Sequence, residues 1–157
     1  MTMSENDNIL YLDLEKGRVT IELRPDLAPQ HVTRLKELAN NKYYDDLTWH
    51  RVIGGFMAQG GCPDGTGMGG SGQKIPAEFS EEPYVRGTCG MARSADPDSG
   101  DSQFFICFAD AQFLNGDYTV WGKVTEGMDL IDGLEKGEPP TNPDKIVSMR
   151  TAANAGE

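Results

Sequence analysis

Trp49-His50-Arg51-Val52-Ile53-Gly54-Gly55-Phe56-Met57-Ala58-Gln59-Gly60-Gly61 reads as two short strands either side of a glycine turn, and Ser102-Gln103-Phe104-Phe105-Ile106 reads as a third. Side chains alternate across a strand, so Arg51, Phe56 or Met57, Gln59, Gln103 and Phe105 are expected on a common face. That face would carry one cationic fork, two amides and an apolar cluster. A guanidinium is almost never buried without a partner, so this surface reads as a groove built to receive something rather than as core.

Working outward, Ile9-Leu10-Tyr11-Leu12-Asp13-Leu14 and Arg18-Val19-Thr20-Ile21-Glu22-Leu23 are predicted strands joined at Glu15-Lys16-Gly17 by a tight turn. After Pro25 and Pro29, Val32, Leu35, Leu38 and Ala39 recur at helical spacing up to Asn40-Asn41, which predicts a three-turn amphipathic helix. Further strands are expected at Leu47 to Ile53, Phe56 to Gln59, Gly90 to Arg93, Phe104 to Phe108, Thr119 to Val124 and Lys145 to Arg150. A short second helix is expected from about Glu126 to Leu134, stopped near Gly137 and by Pro139-Pro140. Eight short strands with two helices predict a mainly β protein, a closed eight-stranded antiparallel barrel capped by the helices. The expected domain runs from 9 to 151, with flexible segments at 1–8 and 152–157.

At 157 residues the chain suits a single core. Its 14 basic and 25 acidic residues leave a net charge of −11, which repels phosphate backbones and anionic lipid and argues against nucleic acid or a membrane as partner. No apolar run approaches the ~20 residues that span a bilayer. The polar, acidic start lacks the features of a secretory signal, so a cytoplasmic location is expected. Cys62, Cys89 and Cys107 are odd in number and contain no Cys-x-x-Cys pair, which predicts reduced thiols rather than disulfides or a zinc site.

Three motifs fail on context. Gly65-Thr66-Gly67-Met68-Gly69-Gly70 satisfies the dinucleotide pattern G-x-G-x-x-G, but Pro76 stands where the phosphate-binding helix should begin, so a long surface loop is the better reading. Asp96-Pro97-Asp98-Ser99-Gly100-Asp101 offers spaced carboxylates, yet Cys107 sits where a calcium loop supplies its bidentate Glu. His31 and His50 lie near no nucleophile motif, and His50 reads as a strand histidine whose ring the backbone satisfies.

The opening stretch, together with Gly67-Met68-Gly69-Gly70, Ser102-Gln103-Phe104-Phe105-Ile106-Cys107 and Trp121-Gly122-Lys123-Val124-Thr125-Glu126-Gly127-Met128, resembles the signature blocks of the cyclophilins, peptidyl-prolyl cis–trans isomerases. The likeness extends in order from about Ile9 to Thr151 and is similar in its short hairpin and in Lys74-Ile75-Pro76-Ala77-Glu78-Phe79 to compact bacterial members. It implies an isomerase that accelerates rotation about X-Pro bonds in unfolded or flexible polypeptides, assisting protein folding as a monomer and without metal or cofactor. Arg51 resembles the catalytic arginine and Gln59 the amide that orients it. Phe56, Met57, Phe105 and Leu114 resemble the walls of a proline pocket, with Tyr118 and Phe113 at its rim. Ala92 and Arg93 fall on the strand expected to pair with an extended peptide, and Gln103 near the residue before proline. Many members carry Trp where this chain has Phe113, His at Tyr118, Asn at Arg93 and an acidic residue at Cys62. The Phe113 departure implies weak cyclosporin binding. Two other classes remain open at this point: a proline-peptide binding module or holdase with little turnover, and a small-molecule-carrying barrel.

Overall fold

The computed structural model describes residues 8–67 and 69–154. The expected flexible ends lie mostly outside them; Asn8 accepts a backbone bond from Leu23 at 2.8 Å, and Ala152–Asn154 form a 3-10 turn.

A two-residue turn at Glu15-Lys16 sets Leu14 opposite Gly17 and pairs β1, Ile9–Leu14, with β2, Gly17–Leu23. The remaining strands are β3 (Arg51–Ile53), β4 (Met57–Gly60), β5 (Thr88–Met91), β6 (Phe104–Cys107), β7 (Val120–Glu126) and β8 (Ile146–Thr151). They form one eight-stranded sheet in the order β3-β4-β6-β5-β7-β2-β1-β8, every neighbouring pair antiparallel. No continuous ladder joins the edge strands β3 and β8. An isolated bridge from Thr48 to Lys145 stands between their approaches, with Trp49 N–H donating to Asp144 O at 2.9 Å and Ile146 N–H to Leu47 O at 2.7 Å. The strand predicted from Leu47 is therefore shorter, beginning at Arg51.

Alternation sorts the strands by face. Leu10, Leu12, Val19, Ile21, Val52, Ala58, Phe104 and Ile106 turn into the larger core, where Tyr44, Trp49 and Trp121 each meet the Phe104 ring edge-on at 5.5–5.8 Å. Met57, Phe105 and Cys107 alternate with them and form a second cluster with Tyr84, Leu114 and Val120.

The first helix, α1, spans Pro29–Asn40 and buries His31, Val32, Leu35, Leu38 and Ala39. Pro29 suits the first turn, which needs no N–H there. Its end is capped from a distance: Glu78 accepts from the backbone N–H of Gln30 at 3.1 Å and of His31 at 2.9 Å, and from His31 Nδ1 at 2.7 Å. The second helix, α2, is only Met128–Asp132; Glu126, expected in it, belongs to β7 because the ladder continues through its pairing with Thr20. No helix among the described residues is long and apolar enough to cross a membrane.

Candidate active site

Strand register brings the distant sequence blocks into one row. Arg51 lies opposite Gln59, Gln59 opposite Phe105, and Phe105 opposite Gly90, so four strands contribute neighbouring positions on the same face. Arg51 Nη1 donates to Gln59 Oε1 at 3.2 Å, and Gln59 Nε2 donates to Gln103 Oε1 at 2.9 Å. Gln103 Nε2 in turn donates to the carbonyls of Gly67 and Gly69, both at 2.9 Å. Each amide is thereby oriented by the next, which leaves the Gln59 oxygen turned toward the guanidinium.

The glycine loop at the end of that relay is organised by Cys62. Its thiol donates to Asp64 Oδ1 at 2.9 Å and accepts from the N–H groups of Gly67 and Gly69, each at 3.2 Å. The Cys62 and Thr66 side chains hold the Asp64 carboxyl down to about 2. The surface loop expected at this position thus carries a buried thiol that fixes two carbonyls for Gln103. Cys89 and Cys107 are also free; burial raises both, Cys107 to about 12.

Beside the row lies a cavity of about 140 Å³. Arg51, Phe56, Met57, Gln59, Ala92, Arg93, Phe105, Leu114 and Tyr118 all line it, nine of the eleven positions singled out from the sequence. Phe105 is its floor. The ring stacks on Tyr84 at 5.7 Å and meets Tyr118 edge-on at 5.8 Å. It can lie flat because Gly90 is opposite: a Cβ there would come within 2.6 Å of Phe105 Cζ and 2.7 Å of the Tyr84 hydroxyl.

The other two predicted residues lie off this wall. Gln103 stands behind Gln59 and borders an adjoining recess of about 340 Å³, shared with Gln59, Ala92 and Arg93. Phe113 is 72% exposed and packs on Phe56 with ring centroids 5.4 Å apart. The strand expected to reach Arg93 ends at Met91, and Ala92 N–H is taken by Gln103 O at 3.0 Å. Arg93 forms no backbone–backbone bond among the described residues. Its guanidinium binds Asp117 O at 2.7 and 3.0 Å and covers the Tyr118 ring at 4.5 Å.

His50 precedes β3, and burial lowers its pKa; among the described residues its ring nitrogens bond no backbone group, contrary to the expectation from sequence. Two contributors were missed. Tyr84 and Glu138, the latter accepting from Arg51 Nε at 3.2 Å, come from segments remote in sequence with no local motif to flag them.

The fold and site define an antiparallel β protein with a cleft on the sheet walled by Phe56, Met57, Phe105 and Leu114 and edged by the Arg51 and Arg93 guanidiniums and the Gln59 amide. The family model described as Cyclophilin type peptidyl-prolyl cis-trans isomerase/CLD matches residues 9–151. A probable peptidyl-prolyl cis-trans isomerase of Brucella suis is 48% identical over 96% of this chain and 86% of that one, and peptidyl-prolyl cis-trans isomerase B of Bacillus subtilis 45% over 82% and 91%. Among solved structures, a cyclophilin of Hirschia baltica superposes with a TM-score of 0.86 at 30% identity, covering 93% of this chain and 74% of that one. A Cryptosporidium parvum cyclophilin-type isomerase, crystallised in the presence of the dipeptide Ala-Pro, gives 0.84 at 28%, covering 91% and 98%. This chain belongs to the cyclophilin-type peptidyl-prolyl cis-trans isomerase family. Its reaction is the cis–trans isomerisation of X-Pro peptide bonds.

Proposed function

We propose that Arg51 is the catalytic residue and that the cavity floored by Phe105 receives the proline ring. Rotation about an amide C–N bond costs ~18–20 kcal/mol because resonance is lost, and uncatalysed X-Pro exchange takes roughly 10–100 s. In the twisted state the nitrogen lone pair localises. A guanidinium beside it donates to that pair or holds the adjoining carbonyl oxygen, an interaction the planar ground state lacks. Reaching milliseconds needs on the order of 10⁴–10⁵-fold, or about 5–7 kcal/mol, within reach of one charged donor plus positioning.

Gln59 holds the fork, and Gln103 holds Gln59. Phe56, Met57, Phe105 and Leu114 fix the proline ring, while the unpaired backbone of Arg93 is available to the segment before it. One half of the substrate then turns against the other. The observation that carries this reading is the registered row Arg51–Gln59–Phe105 alongside the cavity.

The substrates are proline-containing segments of flexible or unfolded polypeptides, met in the cytoplasm. The protein acts as a monomer, as the resemblance implies, and the net charge of −11 disfavours nucleic acid. The same reading takes the Thr48–Lys145 bridge as the seam of a closed barrel backing the groove. NMR titration with an Ala-Pro peptide tests the pocket. Shifts centred on Met57, Phe105 and Leu114 with exchange broadening between the peptide's cis and trans signals are expected; shifts confined to another face would refute the assignment.

A further inference from the structure

We propose that Glu138 is a positioning residue for Arg51, holding the guanidinium at the edge that Gln59 does not reach. The inference rests on the reading of Arg51 given above and concerns what keeps that side chain in place.

Val52 and Gly137 exchange both backbone hydrogen bonds, each 2.8 Å long, as an isolated antiparallel bridge. In antiparallel pairing the residue before one partner stands beside the residue after the other, so Arg51 and Glu138 are neighbours by backbone register. Glu138 Oε1 accepts from Arg51 Nε at 3.2 Å, while Gln59 Oε1 accepts from Nη1 at 3.2 Å. Two edges of the planar fork are thus held from two separate elements. No hydrogen bond to a protein group engages Nη2 among the described residues, which leaves its donors for substrate.

The segment that delivers the carboxylate is itself fixed. Gly137 has φ +146° and follows a path open to few other residues, since a Cβ there would come within 2.6 Å of Pro140 Cα. Glu135 N–H donates to Asp144 Oδ2 and Glu135 Oε2 accepts from Asn142 N–H, both at 2.8 Å. Lys136 Nζ donates to the carbonyls of Asp132 and Leu134, both at 2.9 Å.

Glu138 does not line the cavity, so any effect on turnover passes through Arg51. The two side chains are 44% and 57% exposed, and a pair so open adds little to folding. Its consequence is orientation: a long side chain tied at two edges loses less freedom when the transition state forms.

The test is X-Pro peptide exchange followed by NMR for Glu138→Ala and Glu138→Gln, each in the parent and in the Arg51→Ala background, with the Arg51 Nε–H resonance observed alongside. Glu138→Ala is expected to lower kcat about two- to fivefold with KM unchanged, and to broaden or shift the Nε–H signal. Glu138→Gln, which keeps an acceptor, should restore most of both. In the Arg51→Ala background the Glu138→Ala change should have no further effect. An unchanged kcat for Glu138→Ala, a Gln variant as poor as Ala, or an equal loss in both backgrounds would overturn the inference while a loss from Arg51→Ala alone leaves the Arg51 reading standing. Full turnover by Arg51→Ala itself would remove both.

Discussion

Phe113 illustrates how a single side chain separates two properties of the site. It stands against Phe56 but outside the cavity wall, so catalysis on short peptides should not depend on it. Resemblance to members with Trp at this position implies an indole N–H that bonds cyclosporin, a bond the phenyl ring cannot make. Phe113→Trp is expected to tighten cyclosporin binding about ten- to hundredfold, roughly 1–3 kcal/mol, without changing X-Pro turnover. Calorimetric titration of both proteins decides it; equal affinities would show that Phe113 does not set the difference. Cys62 makes the complementary point. Where members carry an acidic residue, this chain uses a buried thiol to gather Asp64, Gly67 and Gly69, so the departure alters how the loop is held.

At the scale of the elements, β5 and β6 must lie close enough for Phe105 to rest across Gly90. Gly90→Ala would put a methyl group where the ring and the Tyr84 hydroxyl are, so Phe105 must tilt into the cavity. Peptide affinity is expected to fall with a loss of about 1–3 kcal/mol in stability, measured by denaturant unfolding and peptide titration. Phe105→Ala, at a position 5% exposed, should cost on the order of 3 kcal/mol and weaken binding too. Unchanged unfolding and unchanged affinity in either variant would contradict the packing described. These elements also show what sequence can reveal. Period-two alternation predicts Arg51, Gln59, Gln103 and Phe105 on a common face, and the ladder sets Arg51 beside Gln59 and Gln59 beside Phe105. Cross-sheet register is not local, so the Gly90–Phe105 contact, the Glu78 cap on α1 and the Glu138 approach to Arg51 had no signal. Strand ends were overextended at Leu47 and Arg93 because propensity continues where pairing partners stop.

Across the whole molecule, the tie between α1 and the segment bearing Glu78 predicts sensitivity to acid. Burial lowers the pKa of His31 from 6.5, so the folded state binds its proton less readily than the unfolded chain and that contribution is lost as pH falls below about 6.5. Burial opposes ionisation of Glu78, but bonds from His31 and two backbone N–H groups outweigh it and hold the carboxyl below 4.5. A depressed carboxyl stabilises above the unfolded value of about 4.5 and loses that contribution as pH drops through the folded value. Both groups act in the same direction. Tm should therefore decline from pH 7 to pH 4, and Glu78→Gln should flatten the lower part of the decline; a constant Tm over that range would contradict the assignment.

All of this architecture presents the Arg51 guanidinium beside the cavity floored by Phe105, so the most direct test is turnover by Arg51→Ala, with Arg51→Lys in parallel. Exchange of an X-Pro peptide measured by NMR, on variants whose unfolding transitions match the parent, should fall roughly a hundredfold or more for Ala. Lys should not restore it, since a point ammonium cannot keep the planar fork bonded to Gln59 while donating to substrate. A folded Arg51→Ala protein that exchanges the peptide at the parent rate would contradict the account.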